Sequence, residues 1–194
     1  LYVAHDAHAT VTGVAFRANQ TAISATHDAV VAVNDCEFAD GRQSDIACDG
    51  SCRATVSGCA FMGQVRQTPD AGAGTPPTVR SASLLVAGRS SATLEARNQF
   101  LDCDVGVAVA EWGTCTATGN EFTRGVIGIS VIGSGYLSAV SNAFRGQSGI
   151  GIMALEGRQL VIRDNRLADE PTGICIGVAN AELSGNVSDG TVGR

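Results

Sequence analysis

An asparagine recurs through the second half of this chain at a nearly fixed interval. Asn98, Asn120, Asn142, Asn165 and Asn186 stand 22, 22, 23 and 21 residues apart. Their surroundings repeat as well, in Arg97-Asn98-Gln99-Phe100, Gly119-Asn120-Glu121-Phe122, Ser141-Asn142-Ala143-Phe144 and Asp164-Asn165-Arg166-Leu167. Gly185-Asn186-Val187-Ser188 keeps the asparagine and loses the large residue. Upstream, Gly13-Val14-Ala15-Phe16, Asp35-Cys36-Glu37-Phe38 and Gly58-Cys59-Ala60-Phe61 keep the frame with other residues in the Asn slot. Self-similarity at this period marks a stacked repeat, whose units bury their apolar edges only against neighbouring units. About eight coils of about 22 residues fill nearly the whole chain, which predicts a single domain over 1–194.

Two β segments are legible in each repeat. The first runs into the Asn column and carries an apolar residue three positions before it: Val11, Val33, Val56, Ala117, Ala139, Ile162 and Leu183. Glu95 breaks this rule, and Leu94 is expected to turn inward in its place. The Phe two positions after the column falls on the same inward side by strand alternation. The second segment reads Ala22-Ile23-Ser24-Ala25, Asp45-Ile46-Ala47-Cys48, Gly106-Val107-Ala108-Val109, Gly128-Ile129-Ser130-Val131, Gly151-Ile152-Met153-Ala154 and Gly173-Ile174-Cys175-Ile176. Alternation predicts its first and third residues outside and its second and fourth inside. A third, less regular strand would close a triangular coil, with neighbouring coils pairing in parallel at roughly 4.8 Å. Asn tolerates the left-handed conformation of a sharp turn. Its amide can also donate to one neighbouring Asn and accept from the other, forming a buried ladder, with Cys36 and Cys59 as apolar fillers where the ladder is lost.

On these residues the chain resembles the right-handed parallel β-helix superfamily, the pectate-lyase-like group with its internal asparagine ladder, over roughly residues 1–190. The expected fold is therefore an all-β parallel solenoid. Left-handed hexapeptide helices repeat in multiples of six, and leucine-rich repeats need an L-x-x-L-x-L frame that is missing. The resemblance implies that catalysis, where present, uses the outward face of one strand set and its rim. The expected outward positions are Ala22, Ser24, Asp45, Ala47, Gly106, Ala108, Gly128, Ser130, Gly151, Met153, Gly173 and Cys175, which offer one carboxylate and no base. A glycoside hydrolase needs two carboxylates, and a lyase needs a base with charge stabilisation. The paired-Asp signature of polygalacturonases, the Arg-centred motif of pectate lyases and the D-P-H motif of alginate epimerases are all missing; His5-Asp6 lacks the proline.

The turn after that strand is richer. His5-Asp6 and His27-Asp28 lie one period apart, and Asp49 comes 21 residues after Asp28. Glu111 and Glu156 are expected in the same column. Stacked Asp6, Asp28 and Asp49 would lie roughly 5 Å apart, the separation of a retaining carboxylate pair, with alternate coils matching an inverting pair. They are the candidate acid/base residues, and oxygen clusters of this type also bind Ca²⁺. The plain alternative is that Asp in a solvent-facing turn is a turn residue, with His5, His8 and His27 on the surface. Trp112 follows Glu111 in this turn; with His27 and Arg89 these are the candidate binding residues, and Arg53 or Arg89 could orient a substrate. An exposed aromatic stacks on a sugar ring or anchors a protein contact, whereas a coil cap needs neither.

Composition narrows the partners. A net charge of −6 and a pI near 4.9 argue against nucleic acid, which requires a basic stripe, and the absence of Lys removes it as a candidate base. No apolar run reaches the roughly 18 residues of a membrane span. Seven cysteines, an odd number, do not form a small-domain disulfide framework and lean toward a reducing, cytoplasmic setting. Cys48-Asp49-Gly50-Ser51-Cys52 is a CxxxC with no second Cys/His pair at zinc spacing, so no metal is expected there. The period is interrupted at 62–80, where Pro69, Pro76 and Pro77 flank Asp70-Ala71-Gly72-Ala73-Gly74, which reads as a loop insertion. Tyr2-Val3-Ala4-His5-Asp6-Ala7 parallels Ile23-Ser24-Ala25-Thr26-His27-Asp28-Ala29, so the chain is expected to start in mid-coil, as a fragment of a longer protein. The leading expectation is a non-catalytic recognition or scaffold module binding a partner protein or a glycan. A polysaccharide-active enzyme at the acidic corner is the first alternative, and a module stacking end to end through exposed strand edges is the second.

Overall fold

The computed structural model describes residues 1–63, 81–177 and 180–189, and every regular element among them is a β-strand. Three eight-stranded parallel sheets wrap around one core, making about seven turns of about 23 residues. One coil shows the pattern: Val105–Glu111 lies in the first sheet, Thr114–Thr118 in the second and Glu121–Thr123 in the third. Ile127–Gly133 then re-enters the first sheet in register with Val105–Glu111. The third face of the triangle is this three-residue Phe strand. It is short because the Asn column ends the strand before it.

The three corners share one device. The residue preceding each slot of the Asn column has a left-handed backbone: Gly13, Asp35, Gly58, Arg97, Gly119, Ser141, Asp164 and Gly185 have φ between 50° and 76°. The asparagines themselves do not, which corrects the expectation that they take up the bend. They satisfy the groups that the bend exposes. Asn142 Nδ2 donates to Ala117 O at 2.9 Å and to Asn165 Oδ1 at 3.1 Å. Asn142 Oδ1 accepts from Asn120 N at 3.0 Å and from Asn120 Nδ2 at 3.2 Å. The ladder runs from Asn98 to Asn186 with the same geometry. At its other end Asn98 Oδ1 accepts from Cys59 N at 3.0 Å, and Cys59 Sγ accepts from Cys36 N at 3.5 Å. The thiols are thus weak substitutes in the ladder rather than apolar fillers.

Parallel registry stacks like on like. Phe16, Phe38, Phe61, Phe100, Phe122 and Phe144 form one column with centroids 4.6–5.1 Å apart and planes within 7° of parallel. Strand spacing imposes this face-to-face arrangement, which free rings disfavour relative to offset or edge-on contacts. Ile23, Ile46, Leu84, Val107, Ile129 and Ile152 form a second fully buried column. Leu94 is fully buried and pairs with Val56 and Ala117, as expected, while Glu95 is exposed.

Across the interruption, Ser44–Cys48 pairs with Ala82–Val86 and Arg53–Ser57 with Ser91–Leu94, so the coil resumes in register. Met62 closes the strand Ala60–Met62. The expected insertion lies, from residue 64 to residue 80, outside the described residues.

Two substitutions test this packing. Asn142→Leu leaves the Asn120 and Asn165 amides short of buried partners and is expected to cost about 1–3 kcal/mol in urea unfolding. In Gly128→Ala the added Cβ would stand 2.5 Å from Phe144 Cδ1 and 2.6 Å from Gly151 O. Overpacking of this kind costs about 1–3 kcal/mol, and an unchanged midpoint would show that the Phe column does not constrain this corner.

Candidate functional site

The corner between the first and second sheets carries the residues singled out in the sequence. Its turns are Ala4–Ala7, Thr26–Ala29, Asp49–Cys52, Ala87–Ser90, Ala110–Gly113, Ile132–Gly135 and Leu155–Arg158. In six of the seven, the second turn residue is left-handed: His5, His27, Gly50, Gly88, Glu111 and Gly133. This registry separates the expected acidic column. Asp6 and Asp28 follow the left-handed residue, whereas Asp49 precedes it, with Ser51 in the place of Asp28. Glu111 shares its column with His5 and His27 rather than with the aspartates, and Glu156 aligns with Gly133.

Most of these groups already have structural roles. Glu111 Oε2 accepts from Gly88 N at 3.1 Å and Glu156 Oε2 from Gly133 N at 2.9 Å, each completing a left-handed turn one rung back. Asp49 Oδ1 accepts from its neighbour Gly50 N at 2.7 Å. The His5 and His27 rings lie 4.6 Å apart, and His27 Nδ1 is 3.0 Å from Thr26 Oγ1. Asp6, Asp28 and Asp49 are all exposed. Among the described residues no group of three or more His, Cys, Asp or Glu side chains converges in a way that could hold a metal ion. Arg53 is exposed and opens a strand of the second sheet; Arg89 occupies the column of Asp28 and Trp112.

Trp112 is the outlier on this corner, with 55 % of its surface exposed. The Arg158 guanidinium carbon stands 5.7 Å from the centroid of its ring, reaching back from two rungs further on. Ile132 and Leu155, on the next two rungs, are each 55 % exposed. The other exposed large apolar residues among those described, Leu1, Tyr2, Val14, Leu183 and Val187, all lie in the first and last coils. The middle of the solenoid therefore leaves large apolar side chains in water at one place. Sequence reasoning found Trp112 and missed Ile132 and Leu155, because neither can be told from a core residue without knowing where the strand ends.

The outward face of the first sheet differs from expectation. Its strands begin one residue earlier than read, and the positions of Ala22, Asp45, Gly106, Gly128 and Gly151 turn into the corner with the Phe strand, where they are buried. Glycines stand there because rings fill the space: a Cβ on Gly106 would lie 2.7 Å from Phe122 Cδ1. Asp45 is therefore not a surface carboxylate. It is 7 % exposed and lines a polar cavity of about 20 Å³ with Ser83, Cys103 and Asp104. That volume admits a water or two and no sugar ring. Burial raises the Asp45 carboxyl to about 6, opposed by a hydrogen bond with Ser83. Along the same corner Glu170 is 8 % exposed, and neither of its oxygens has a hydrogen-bond partner. Burial raises it to about 7. The adjacent Gln147 Nε2 is buried and equally unpartnered.

A family model described as "Right handed beta helix region" matches residues 75–193. No curated protein and no solved structure matches the chain. No helix among the described residues is long and apolar enough to cross a membrane.

The two buried carboxyls set a pH dependence. Their folded pKa values lie above the ordinary values of 3.8 and 4.5, so between about pH 4 and 7 the native state binds more protons than the unfolded chain. The stability they contribute is complete below about pH 4 and is lost as pH rises through about 6 for Asp45 and 7 for Glu170. Glu170→Gln is expected to flatten the upper part of a melting-temperature profile between pH 5 and 8, removing on the order of 1–3 kcal/mol of pH dependence. A profile identical to that of the parent would show that Glu170 is solvated.

Proposed function

The chain belongs to the right-handed β-helix family, and we propose that it acts there as a non-catalytic recognition module, binding a partner protein or a glycan at the Trp112 corner. One observation carries this reading: Trp112, Ile132 and Leu155 stand exposed on three successive rungs, with Arg158 against the indole. Trp and Arg are the side chains most enriched where binding energy concentrates, and a cation over an aromatic ring holds it in place at little entropic cost. Stacked strands beneath the ridge fix its side chains on a rigid base, which limits the ordering cost of association.

The carboxylate arrangement weighs against the enzymatic alternative. Glycoside hydrolysis needs two converging carboxyls, one protonated and one ionised, on either side of a bond. Here the exposed Asp6 and Asp28 stand in open turns, while Glu111 and Glu156 are bound to backbone amides and Asp45 is closed off from anything larger than water.

The test uses the single tryptophan as its own reporter. Titration with soluble neutral and acidic polysaccharide fragments, or with a candidate partner domain, is expected to shift Trp112 emission, and Trp112→Ala, followed by calorimetry because it has lost the fluorophore, is expected to abolish binding without lowering the melting temperature. The same fragments should emerge uncleaved and unmodified, with or without Ca²⁺. Turnover that disappears in a folded Asp28→Asn variant would replace this reading with catalysis at the acidic corner.

A further inference from the structure

We propose that Cys48 and Cys52 form a modification site, a dithiol that closes reversibly to a disulfide across the corner between the first and second sheets. Cys48 ends the strand Ser44–Cys48, and Cys52 immediately precedes the strand Arg53–Ser57. Both side chains point into the core and have no exposed surface.

The coil geometry explains why they meet. By strand registry, Cys48 occupies the place of Val86, Val109 and Val131, and Cys52 that of Ser90, Gly113 and Gly135. A Cβ built on Gly135 would lie 3.2 Å from Val131 Cγ1 in its own coil. The two positions thus face each other across the turn, and small residues usually fill the second. In the third coil alone, among those described, both carry sulfur. Cys52 Sγ donates to Ser90 Oγ at 3.4 Å, and the two thiols lie close enough to perturb each other's proton affinity. A disulfide needs its Cβ atoms about 3.8 Å apart, and two positions that face each other across one turn can meet that demand without drawing distant strands together.

The other thiols are engaged differently. Cys36 and Cys59 stack in the Asn ladder and donate to backbone carbonyls. Cys103 lies against Ser83 and the Phe61 carbonyl. Burial pushes Cys115 up to about 12.

The pair is chemically asymmetric. The neighbouring Cys48 thiol holds the Cys52 thiol below the ordinary range, while the same contact and burial push Cys48 up. Cys52 is therefore the attacking thiolate. With hydrogen peroxide as oxidant, the Cys52 sulfur attacks one peroxide oxygen, giving a sulfenic acid and a hydroxide that takes up a proton to become water. The Cys48 sulfur then displaces the sulfenic oxygen as a second water and surrenders its own proton, leaving the S–S bond. Two thiols and one peroxide become one disulfide and two waters; a small-molecule thiol reverses the step by exchange. The turn Asp49-Gly50-Ser51 that joins the two cysteines is exposed while both cysteines are buried, so local opening at that turn sets the rate.

Wild-type protein treated with hydrogen peroxide, then denatured, alkylated and mapped by mass spectrometry, provides the test. All seven cysteines should be alkylated in the untreated protein. After oxidation, the peptide containing Cys48 and Cys52 should lose two hydrogen masses and both alkylations, and a small thiol should restore them. In Cys48→Ser, whose hydroxyl can still donate to the Cys52 sulfur but cannot form a disulfide, a dimedone-type probe should trap Cys52 as the sulfenic acid, whereas Cys52→Ala should leave Cys48 unmodified under the same conditions. Both thiols recovered intact, another pair cross-linked first, or Cys48 oxidised in Cys52→Ala would each overturn the proposal.

Discussion

A coil of this solenoid must turn three corners, and each left-handed residue that turns one leaves backbone groups on the inside of the bend. The ladder deals with the sharpest corner. Arg97, Gly119, Ser141 and Asp164 bend the chain, and the amide that follows finds the carboxamide oxygen of the next rung. No isolated turn could do this, since donor and acceptor belong to different coils. Each asparagine has partners only because its neighbours are stacked upon it, so stability accrues in nearest-neighbour increments along the axis. Where the carboxamide gives way to the thiols of Cys59 and Cys36, the same contacts persist at sulfur distances, and the N-terminal coils are held more by packing than by polar pairing.

The corners then diverge in what they permit. The Asn corner is committed to hydrogen bonding. The corner between the Phe strand and the first sheet is committed to volume: Gly106 and Gly128 exist to admit Phe122 and Phe144. Where the Phe column has given way to Leu167, Gly151 also accommodates the Glu170 carboxyl, 2.5 Å from where its Cβ would be. A carboxyl buried there without a partner remains neutral up to about pH 7. The third corner is governed only by its one left-handed residue, and the position after it varies from Asp6 and Asp28 through Ser51 and Arg89 to Trp112 and Ser134. Freedom from packing is what lets the residue at that position vary from coil to coil.

The sequence period revealed the columns because parallel stacking copies every local demand from coil to coil. The Phe and Asn columns and the inward turn of Leu94 could all be read from spacing. What escaped was the phase of the bends. A period-2 reading makes Ala22 through Ala25 alternate strictly, whereas within the strand Thr21–Ala25 both Ala22 and Ile23 are buried, and the same error placed Asp45 on the surface. Counting 21 residues from Asp28 to Asp49 assigned both to one column, although the bend falls after Asp49 and before Asp28. A one-residue change of phase moves a side chain from a corner to its neighbour, and repeat spacing alone does not report it. The expected insertion at 62–80 lies, from residue 64 on, outside the described residues.

The fold itself places carboxylates at its corners. A turn in the left-handed conformation presents an amide outward, and an acidic side chain one rung along is well placed to accept from it, as Glu111 does for Gly88 and Glu156 for Gly133. An aspartate beside the bend can serve its own turn, as Asp49 does. Acidic residues will therefore accumulate at a solenoid corner, at about the rung spacing, for purely structural reasons. That spacing coincides with the separation of a retaining glycosidase pair, so the distance between carboxylates carries little information here. Catalysis would require oxygens left free by the backbone, convergence on one point, and environments that drive two pKa values apart around an open cleft. In this chain the environments that shift carboxyl pKa values are closed, at Asp45 and Glu170, and the open ones hold their carboxylates apart or in the service of turns. The exposed aromatic and aliphatic side chains, which no turn requires, are the better guide to function.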